Sequence, residues 1–393
     1  MNVPSSPPAL TGLKVIDLSR VLAGPYAAML LADMGADVIK VERPPGGDDT
    51  RQWGPPFVGP EGERESTYFL STNRNKRSLV ADLKDPDDLA VLRALLADAD
   101  VVIENFSTGV MERLGLGADA LRELNPRLIT LSISGFGPDG PDAQRAGYDQ
   151  ILQAEGGLMS FTGPTADQPT KVGVPISDLI AGTFGVVGVL AALHQRAETG
   201  LGQVVNTSLL AGQIAIHSFQ GTRWLVAGEV PEPAGNHHPT VCPYGLFPTA
   251  DASLVIAVGN DAIWRRFAPL VGMDPEDARF LTNGDRVAHR AELEELICAH
   301  LRTRPAEHWL AALAANRVPA GEVKTLDRVY ATPQVRQQGL VVEVDHPTLG
   351  AIELPGSPLR FSASAPVDHT APPTLGQHSD EIRRELLSRE GVG

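Results

Sequence analysis

Cysteine is scarce in this sequence: its 393 residues include only Cys242 and Cys298. Two cysteines this far apart cannot form a disulfide framework or supply the ligands of a closed zinc site. The sequence also lacks an HExxH motif and a Walker A glycine–lysine loop, the signatures of a zinc protease and of a P-loop. His237 and His238 are adjacent, so on regular structure they would point in different directions. We therefore expect no metal site.

Positive charge is also scarce: the chain has 33 lysines and arginines but 48 aspartates and glutamates, for a net charge of −15. Neither nucleic acid nor an anionic membrane is a suitable general partner for such a chain. The longest nearly uncharged apolar run, 179–193, is short for a membrane span and is interrupted by glycines. The N-terminal segment shows no basic region followed by an apolar one. We expect a soluble, cytoplasmic protein.

Strand and helix signals alternate through the first half of the chain. Short apolar strands are expected at 13–18, 37–42, 78–83, 100–104 and 128–134, with helical patterns between them, for example at 26–34 and 86–97. This alternation predicts an α/β fold with a Rossmann-like open parallel sheet that is covered on both faces.

The middle of the chain differs from the first half. Residues 222–250 are rich in proline and read as a linker into a smaller α+β unit, with a strand at 253–259 and helices near 260–272 and 290–315. Short strands resume towards the C-terminus. The predicted domains are 1–221 for the first part of a large domain, 222–327 for a small domain and 328–393 for a return to the large one.

A glycine pattern at 135–140, GFGPDG, follows a predicted strand and resembles a dinucleotide-binding fingerprint. That mechanism needs a helix N-terminus after the first glycines, so that backbone amides face the pyrophosphate. Pro138 removes one amide, and the segment has the composition of a turn. We reject NAD binding here.

Basic residues gather near the ends of the predicted strands, where open parallel sheets bind ligands. Arg43 follows one strand, Asn105 follows another, and Arg113 comes one helical stretch later. Arg74, Lys76 and Arg77 occur together in NRNKR. Each alone could be an ordinary surface charge. Together, in an acidic chain, they predict a site for an anionic, phosphate-bearing ligand.

Asp178 lies in KVGVPISDLIAG, between two apolar runs. A buried charge without a partner is costly, so this carboxylate is either a helix N-cap or a reactive group in a cleft. The helix expected at 179–195 carries Gly182, Gly185 and Gly188, and each glycine costs up to about 1 kcal/mol in a helix interior. Something therefore packs very closely against this strip of glycines.

Several long motifs carry a family resemblance. The segments LKVIDLSRVLAGPYAAMLLADMGADVIKVERP, NRNKRSLVADLKDP, ADVVIENFSTGVMERLGL, GYDQILQAEGGLMSFTG and VGVPISDLIAG resemble the family III CoA-transferases. The resemblance runs nearly end to end, and GDDTRQWGPPFVG, ESTYFLSTNRNKRS and the C-terminal motifs are most similar to the succinate–hydroxymethylglutarate CoA-transferase branch.

The resemblance implies roles for particular residues. Asp178 falls on the family's catalytic aspartate, and Tyr148 falls on an active-site tyrosine. The positions that match CoA-contacting residues are Leu22, Ala23, Arg43, Ala81, Asp82, Leu83, Lys84, Asn105, Phe106 and Arg113. The glycine-rich mobile loop of the formyl-CoA branch is replaced here by residues 235–239, which include His237 and His238. These histidines and Arg51 are our candidates for pairing with the second carboxylate of a dicarboxylic acid.

The resemblance also implies an interlocked homodimer, in which the glycine strip could serve as a close-packing surface. It implies an exchange reaction that needs no cofactor, because CoA esters are substrates: CoA passes from an acyl-CoA, expected to be succinyl-CoA, to a short dicarboxylic or hydroxy acid. Asp178 would form first an anhydride and then an aspartyl-CoA thioester.

Two alternatives remain at this stage. An α-methylacyl-CoA racemase would pair the same aspartate with a histidine at the position of Tyr148, and a tyrosine is a poor acid–base partner near neutral pH. A catalytically silent CoA-binding protein would not need to retain Asp178 together with the basic positions.

Overall fold

The computed structural model describes residues 6–390, so the first five residues of the N-terminal segment and the last three of the chain lie outside the described residues. Two compact units are present. The larger comprises the chain up to Leu158, Val172–Ala227 and the chain from Pro333 onward, and the smaller comprises Met159–Lys171 and Gly228–Thr332. The borders expected at 222 and 328 lie a few residues before the observed ones, at Gly228 and Pro333. The grouping of Met159–Lys171 with the smaller unit was not anticipated.

The strands of the described chain are, in order, β1 Lys14–Asp17, β2 Asp37–Glu42, β3 Phe57–Val58, β4 Glu65–Ser66, β5 Lys76–Val80, β6 Val101–Glu104, β7 Ile129–Ser134, β8 Val204–Ser208, β9 Tyr244–Pro248, β10 Ser253–Ala257, β11 Ala320–Glu322, β12 Val341–His346 and β13 Gly350–Pro355. The α-helices are α1 Ala23–Asp33, α2 Thr67–Leu70, α3 Pro86–Ala97, α4 Val110–Arg113, α5 Ala118–Leu124, α6 Asp149–Glu155, α7 Ile176–Thr199, α8 Leu209–Ile216, α9 Ser218–Ala227, α10 Asp261–Phe267, α11 Asn283–Ala288, α12 Arg290–Leu301, α13 Ala306–Ala315, α14 Leu326–Tyr330, α15 Pro333–Gln337 and α16 Ser379–Glu390. Short 3₁₀ helices occur at Asp49–Gln52, Leu158–Phe161 and Ala268–Val271.

The larger unit is built on a six-stranded sheet in the order β5-β2-β1-β6-β7-β8, and all neighbouring strands are parallel. Side chains alternate between its faces. Val15 and Ile103 belong to the apolar core beneath α1 and α7, whereas Ile16 and Val102 belong to the core beneath α3, α5 and α16. The prediction of an open parallel sheet covered on both faces is confirmed.

Some predicted elements shift or divide. The strand expected at 78–83 is β5, Lys76–Val80, so Ala81 and the residues after it leave the sheet and enter a loop. Strand β8 was not predicted, because its sequence VVNTS is short and half polar. It lies at the edge of the sheet. The helix expected at 290–315 is interrupted between α12 and α13 by Pro305, which precedes the first residue of α13.

The glycine strip of α7 packs inside the same chain. A Cβ atom at Gly182 would lie 2.6 Å from the Ala23 carbonyl oxygen, one at Gly185 would lie 2.9 Å from Leu131, and one at Gly188 would lie 2.5 Å from Val205. The expectation of close packing is confirmed. The suggestion that the strip serves the dimer is wrong, because α1, β7 and β8 already occupy it.

Helix α7 is long and apolar enough to cross a membrane by length and composition. Its Ala181, Val186 and Val189 are buried in the core of the larger unit.

The smaller unit contains an antiparallel sheet in the order β11-β10-β9. Its separate core includes Phe247, Ile256, Trp264, Phe267 and Phe280, all fully buried. Hairpin β12–β13 belongs to the larger unit, as expected for the C-terminal return.

Candidate active site

Two cavities open at the carboxyl edge of the six-stranded sheet. The larger cavity has a volume of about 640 Å³, and a second cavity of about 240 Å³ contains Asp178. The loops after β1 and β6 contribute to both cavities, through Arg20 and Phe106. These strands flank the point where the strand order reverses, and open α/β sheets bind ligands at such points.

Asp178 lies in the first turn of α7, which begins at Ile176 after Pro175. It is therefore not the N-cap, and the capping interpretation is wrong. Asp178 and Ala23, the first residue of α1, both line the second cavity, so the first turns of two helices meet there. Burial and the nearby Asp149 raise the pKa of Asp178 to about 7, although the backbone N–H of Ala23 acts to lower it.

Asp149 and Tyr68 are site residues that the sequence analysis missed. Asp149 begins α6, and its carboxylate accepts hydrogen bonds from the Ser177 backbone N–H at 2.9 Å and from Gln153 Nε2 at 2.8 Å. It therefore holds the start of α7 and places a second negative charge near Asp178. Burial, together with the charges of Asp178 and Asp149, raises the pKa of Tyr68 to about 12. The position of Asp149 directly after Tyr148 is the signal that could have identified it.

Most of the predicted contact positions line one cavity or the other. Those in the larger cavity are Arg43, Ala81, Asp82, Leu83, Lys84 and Phe106. Those that share the second cavity with Asp178 are Ala23, Asn105, Phe106 and Tyr148. Leu22 is buried between Val21 and Ala23 and lines neither cavity. Arg113 is exposed on α4, between Val110 and Leu114, which line the larger cavity.

Comparisons with known proteins identify the family of this chain. The family model for CoA-transferase family III matches residues 10–379. A succinate–glutarate CoA-transferase of Agrobacterium fabrum is 44% identical over 394 residues, which are 99% of this chain and 98% of that protein. A succinyl-CoA:glutarate CoA-transferase of Homo sapiens is 39% identical over 96% of this chain and 86% of its own length.

This chain belongs to CoA-transferase family III. The fold agrees with that assignment, since the crystal structure of a CAIB/BAIF family protein from Brucella suis superposes with a TM-score of 0.87. That protein is 41% identical to this chain, and the match covers 97% of this chain and all of the other.

The basic cluster after α2 lines neither cavity in this CoA-transferase. Arg74 forms a buried, two-bond ion pair with Asp33. Lys76 is fully buried and donates to Asp17 at 2.9 Å, and Arg77 pairs with acidic residues of β2 and α16. The expectation that this cluster would bind phosphate is wrong, because each cation is already neutralised within the fold.

Arg51 is also occupied. Its guanidinium forms two hydrogen bonds to the Glu42 carboxylate, at 2.7 and 2.8 Å, and lies 3.6 Å from the centre of the Phe69 ring. Its side chain is only 9% exposed, and it lines neither cavity. Arg51 is therefore not free to pair with a substrate carboxylate, contrary to the expectation from the sequence.

His237 and His238 lie in the smaller unit. His237 Nδ1 is 3.0 Å from a Glu294 carboxylate oxygen, and the His238 ring stacks on Tyr244. Within residues 6–390, no group of three or more histidine, cysteine or acidic side chains is arranged to hold a metal ion.

The raised pKa of Asp178 predicts a pH-dependent effect on stability. An aspartate that ionises near 3.8 when unfolded and near 7 when folded favours the folded state at low pH, and this contribution is lost as the pH rises through about 7. Asp178→Asn should therefore raise the free energy of unfolding above pH 7, by an amount on the order of 2 kcal/mol, and the gain should shrink as the pH falls towards 4. Urea unfolding across this range measures it.

The control is Asp119→Asn, which changes a carboxylate with a 95% exposed side chain. Its effect should be small at every pH. A difference between Asp178→Asn and wild type that stays constant with pH would contradict the assigned pKa.

Proposed function

We propose that this family III CoA-transferase moves CoA from succinyl-CoA to a short dicarboxylic acid, with Asp178 as the nucleophile. The observation that carries the proposal is a carboxylate with a pKa of about 7 in a cavity that shares Arg20 and Phe106 with a larger one. Relatives named as succinate–glutarate and succinyl-CoA:glutarate CoA-transferases support this choice of acids.

The reaction begins when the Asp178 carboxylate attacks the thioester carbonyl of succinyl-CoA. The C–S bond breaks, leaving a mixed anhydride between Asp178 and succinate, and the CoA thiolate departs. The thiolate then attacks the aspartyl carbonyl, so that succinate leaves and an aspartyl-CoA thioester remains. The acceptor acid attacks this thioester to give a second anhydride, from which the thiolate takes the acceptor's acyl group and frees Asp178.

Asp178 is suited to this role because it is both ionisable and basic. At neutral pH roughly half of the molecules carry the attacking carboxylate, and a carboxylate of raised pKa is a stronger nucleophile than an ordinary one. The exchange of one thioester for another requires neither ATP nor a metal.

Backbone donors are available for the tetrahedral oxyanions. Gly135 and Gly147 both line the Asp178 cavity. A Cβ atom on either glycine would lie less than 3.0 Å from the other. Their two loops therefore approach as bare backbone, and we propose that amides in this region stabilise the oxyanions.

The second carboxylate of a dicarboxylic acid also needs a partner in the cavity. Among the described residues that line it, the cations are Arg20 and Arg145. Arg145 packs over Phe136 and pairs with Glu155 at 2.6 Å, whereas Arg20 is 3.5 Å from Asp49 and lies over Phe106. We propose that these two arginines, in place of Arg51, recognise the acid. His237 and His238 remain proposals for the same role.

A panel of acids tests the function. The protein is incubated with succinyl-CoA and, separately, glutarate, hydroxymethylglutarate, mesaconate, oxalate and butyrate, and the CoA products are identified by mass. We expect transfer to short dicarboxylic acids, little transfer to butyrate, and none from Asp178→Asn. With hydroxylamine present, the wild-type protein should acquire a hydroxamate on the peptide that contains Asp178.

The outcomes separate the alternatives. Transfer that survives in Asp178→Asn would overturn the mechanism. Exchange of the α-hydrogen of a 2-methylacyl-CoA with D₂O, without transfer to any acid, would indicate a racemase. Binding of CoA without either reaction would indicate a silent CoA-binding protein.

CoA binding in the larger cavity predicts a change in the Michaelis constant. Arg43 lines this cavity with its side chain 57% exposed, and its guanidinium pairs with Asp49. Arg43→Ala should raise the KM for succinyl-CoA by about ten-fold, the loss of one charge-assisted phosphate contact. Arg113→Ala should raise it less, because Arg113 does not line the cavity.

Initial-rate kinetics measure both constants. The control is Arg122→Ala, which removes an exposed arginine that pairs with Asp119 on α5 and should leave KM unchanged. If Arg43→Ala behaves like Arg122→Ala, Arg43 does not contact CoA.

We also propose that two chains associate as an interlocked homodimer. Support comes from a surface on α7–α9 that exposes several large apolar side chains. They are Phe184, Val187, Ile214, Trp224, Leu225 and Val226. Exposed large apolar side chains on successive helices are typical of a protein interface. The cytoplasmic location stays a prediction.

If the dimer forms, sedimentation equilibrium should give a mass of twice 41.8 kDa. Changing Leu225 and Val226, 81% and 84% exposed, to aspartate should shift the population towards monomer, because charge is disfavoured in the core of an interface. The control is Leu387→Asp, at an exposed position on α16. A wild-type protein that sediments as a monomer would rule out the dimer.

A further inference from the structure

We propose that the strained backbone at Val21, held by the buried Lys40–Asp48 ion pair, is the device that positions the Ala23 amide against Asp178. The inference rests on the proposed function, in which Asp178 is the nucleophile. Val21, Lys40 and Asp48 do not touch the reacting atoms in this scheme, so they are positioning residues.

Val21 adopts a left-handed backbone conformation, with φ of 69°. A β-branched residue is very rarely found there, because its side chain crowds the backbone. Such strain persists only where surrounding contacts impose it, and it is common at functional sites. Here the imposed conformation turns the chain between the end of β1 and the start of α1, and Val21 itself lines the Asp178 cavity.

Buried side chains impose this conformation from several directions. Asp48 Oδ1 accepts a hydrogen bond from the Val21 N–H at 3.2 Å, and Lys40 Nζ donates to the Ser19 carbonyl at 2.9 Å. Asn105 accepts from the Arg20 N–H and donates to the Arg20 carbonyl, at 2.9 and 2.7 Å. Three successive residues, 19 to 21, are therefore fixed by side chains from β2, the segment after β2 and the segment after β6.

The ion pair behind this loop is fully buried. Lys40 Nζ and Asp48 Oδ2 are 2.8 Å apart, and neither side chain is exposed. The Lys40–Asp48 contact holds the pKa of Asp48 at about 2 although burial opposes its ionisation. Replacing a buried ion pair by apolar residues is often neutral or stabilising, so stability alone does not explain these charges. The contacts of Lys40 with Ser19 and of Asp48 with Val21 give these charges a role.

The positioned amide then meets Asp178 through the contact of α7 with α1. Gly182 brings α7 against the Ala23 carbonyl oxygen, and Ala23 and Asp178 line the same cavity. The Ala23 N–H acts to lower the pKa of Asp178 and so favours the ionised, attacking form. A looser loop would weaken this interaction, raise the pKa of Asp178 and misplace the nucleophile.

Other groups also act on Asp178 and must be held constant. The titratable and charged side chains that face it or share its cavity are Asp149, Tyr68, Tyr148, Arg20, Arg145 and Asp49. None of them is changed in the variants below.

Val21→Gly separates positioning from ordinary structural support. Glycine adopts a positive φ without strain, so the variant should be as stable as wild type or more so, while its loop is no longer rigid. We expect kcat to fall by about ten-fold or more, with little change in the KM for succinyl-CoA. The acid limb of the pH–rate profile should move to higher pH.

Two variants serve as controls. Val21→Ala keeps a Cβ atom, and hence most of the backbone restraint, but trims the side chain, and it should retain the wild-type acid limb. Arg317→Gly relieves a positive φ of 53° at an exposed position in the smaller unit and should leave kcat unchanged.

The ion pair is tested by Asp48→Asn against Asp33→Asn, which breaks the equally buried pair with Arg74. Removing the Asp48 charge would by itself lower the pKa of Asp178, whereas loosening the loop would raise it. We expect the pKa of Asp178 to rise in Asp48→Asn and to stay unchanged in Asp33→Asn.

The Asp178 pKa is measured independently of turnover, from the pH dependence of the stability difference between proteins with and without Asp178→Asn. An unmoved pKa in Val21→Gly, or equal effects of Val21→Gly and Val21→Ala, would overturn the inference even if wild-type transfer depends on Asp178. Absence of Asp178-dependent transfer in the wild type would instead overturn the proposed function, while the pKa comparison would still decide whether Val21 positions the Ala23 amide.

Discussion

The close contact between α7 and the start of α1 is the constraint on which the candidate active site depends. Only glycine fits at position 182, because any side chain there would collide with the Ala23 carbonyl oxygen. Asp178, one turn earlier on α7, is consequently held beside the first amide of α1. The N-terminus of a helix favours a negative charge, whereas burial and Asp149 disfavour it. The balance leaves a carboxylate that is ionised in part near neutral pH.

Charged residues in this acidic chain fall into two groups with different uses. Arg51, Arg74 and Lys76 are buried and each is paired with a carboxylate of the same unit. Burying such an ion is tolerated only with a partner, so these residues have no capacity left for a ligand. Arg43 and Lys84 lie at the larger cavity, where an anionic ligand can approach. Both side chains are exposed, although acidic residues such as Asp49 and Asp82 line the same cavity.

Much of the fold could be predicted because it follows from side-chain periodicity. The strand at 37–42 matches β2 in both bounds, and alternation of buried residues along β1 and β6 requires a sheet with two covered faces. The candidate site residues could be placed at one edge of the sheet for the same reason, since parallel strands direct their carboxyl ends to one side. Arg51 and the NRNKR cluster could not be assigned correctly, because their partners Glu42, Asp33 and Asp17 are chosen by packing.

The sequence by itself determined the α/β class and the family, and it singled out Asp178 as the candidate nucleophile. These are properties of local patterns and of long motifs, which are complete within contiguous segments of chain. Only the tertiary structure decided what surrounds that carboxylate: the Ala23 amide, the charge of Asp149, and the left-handed turn at Val21 held by Asp48. These groups come from segments separated by many residues, and their effects depend on distance and burial. A pKa of about 7 is therefore a property of the packed site and not of the motif.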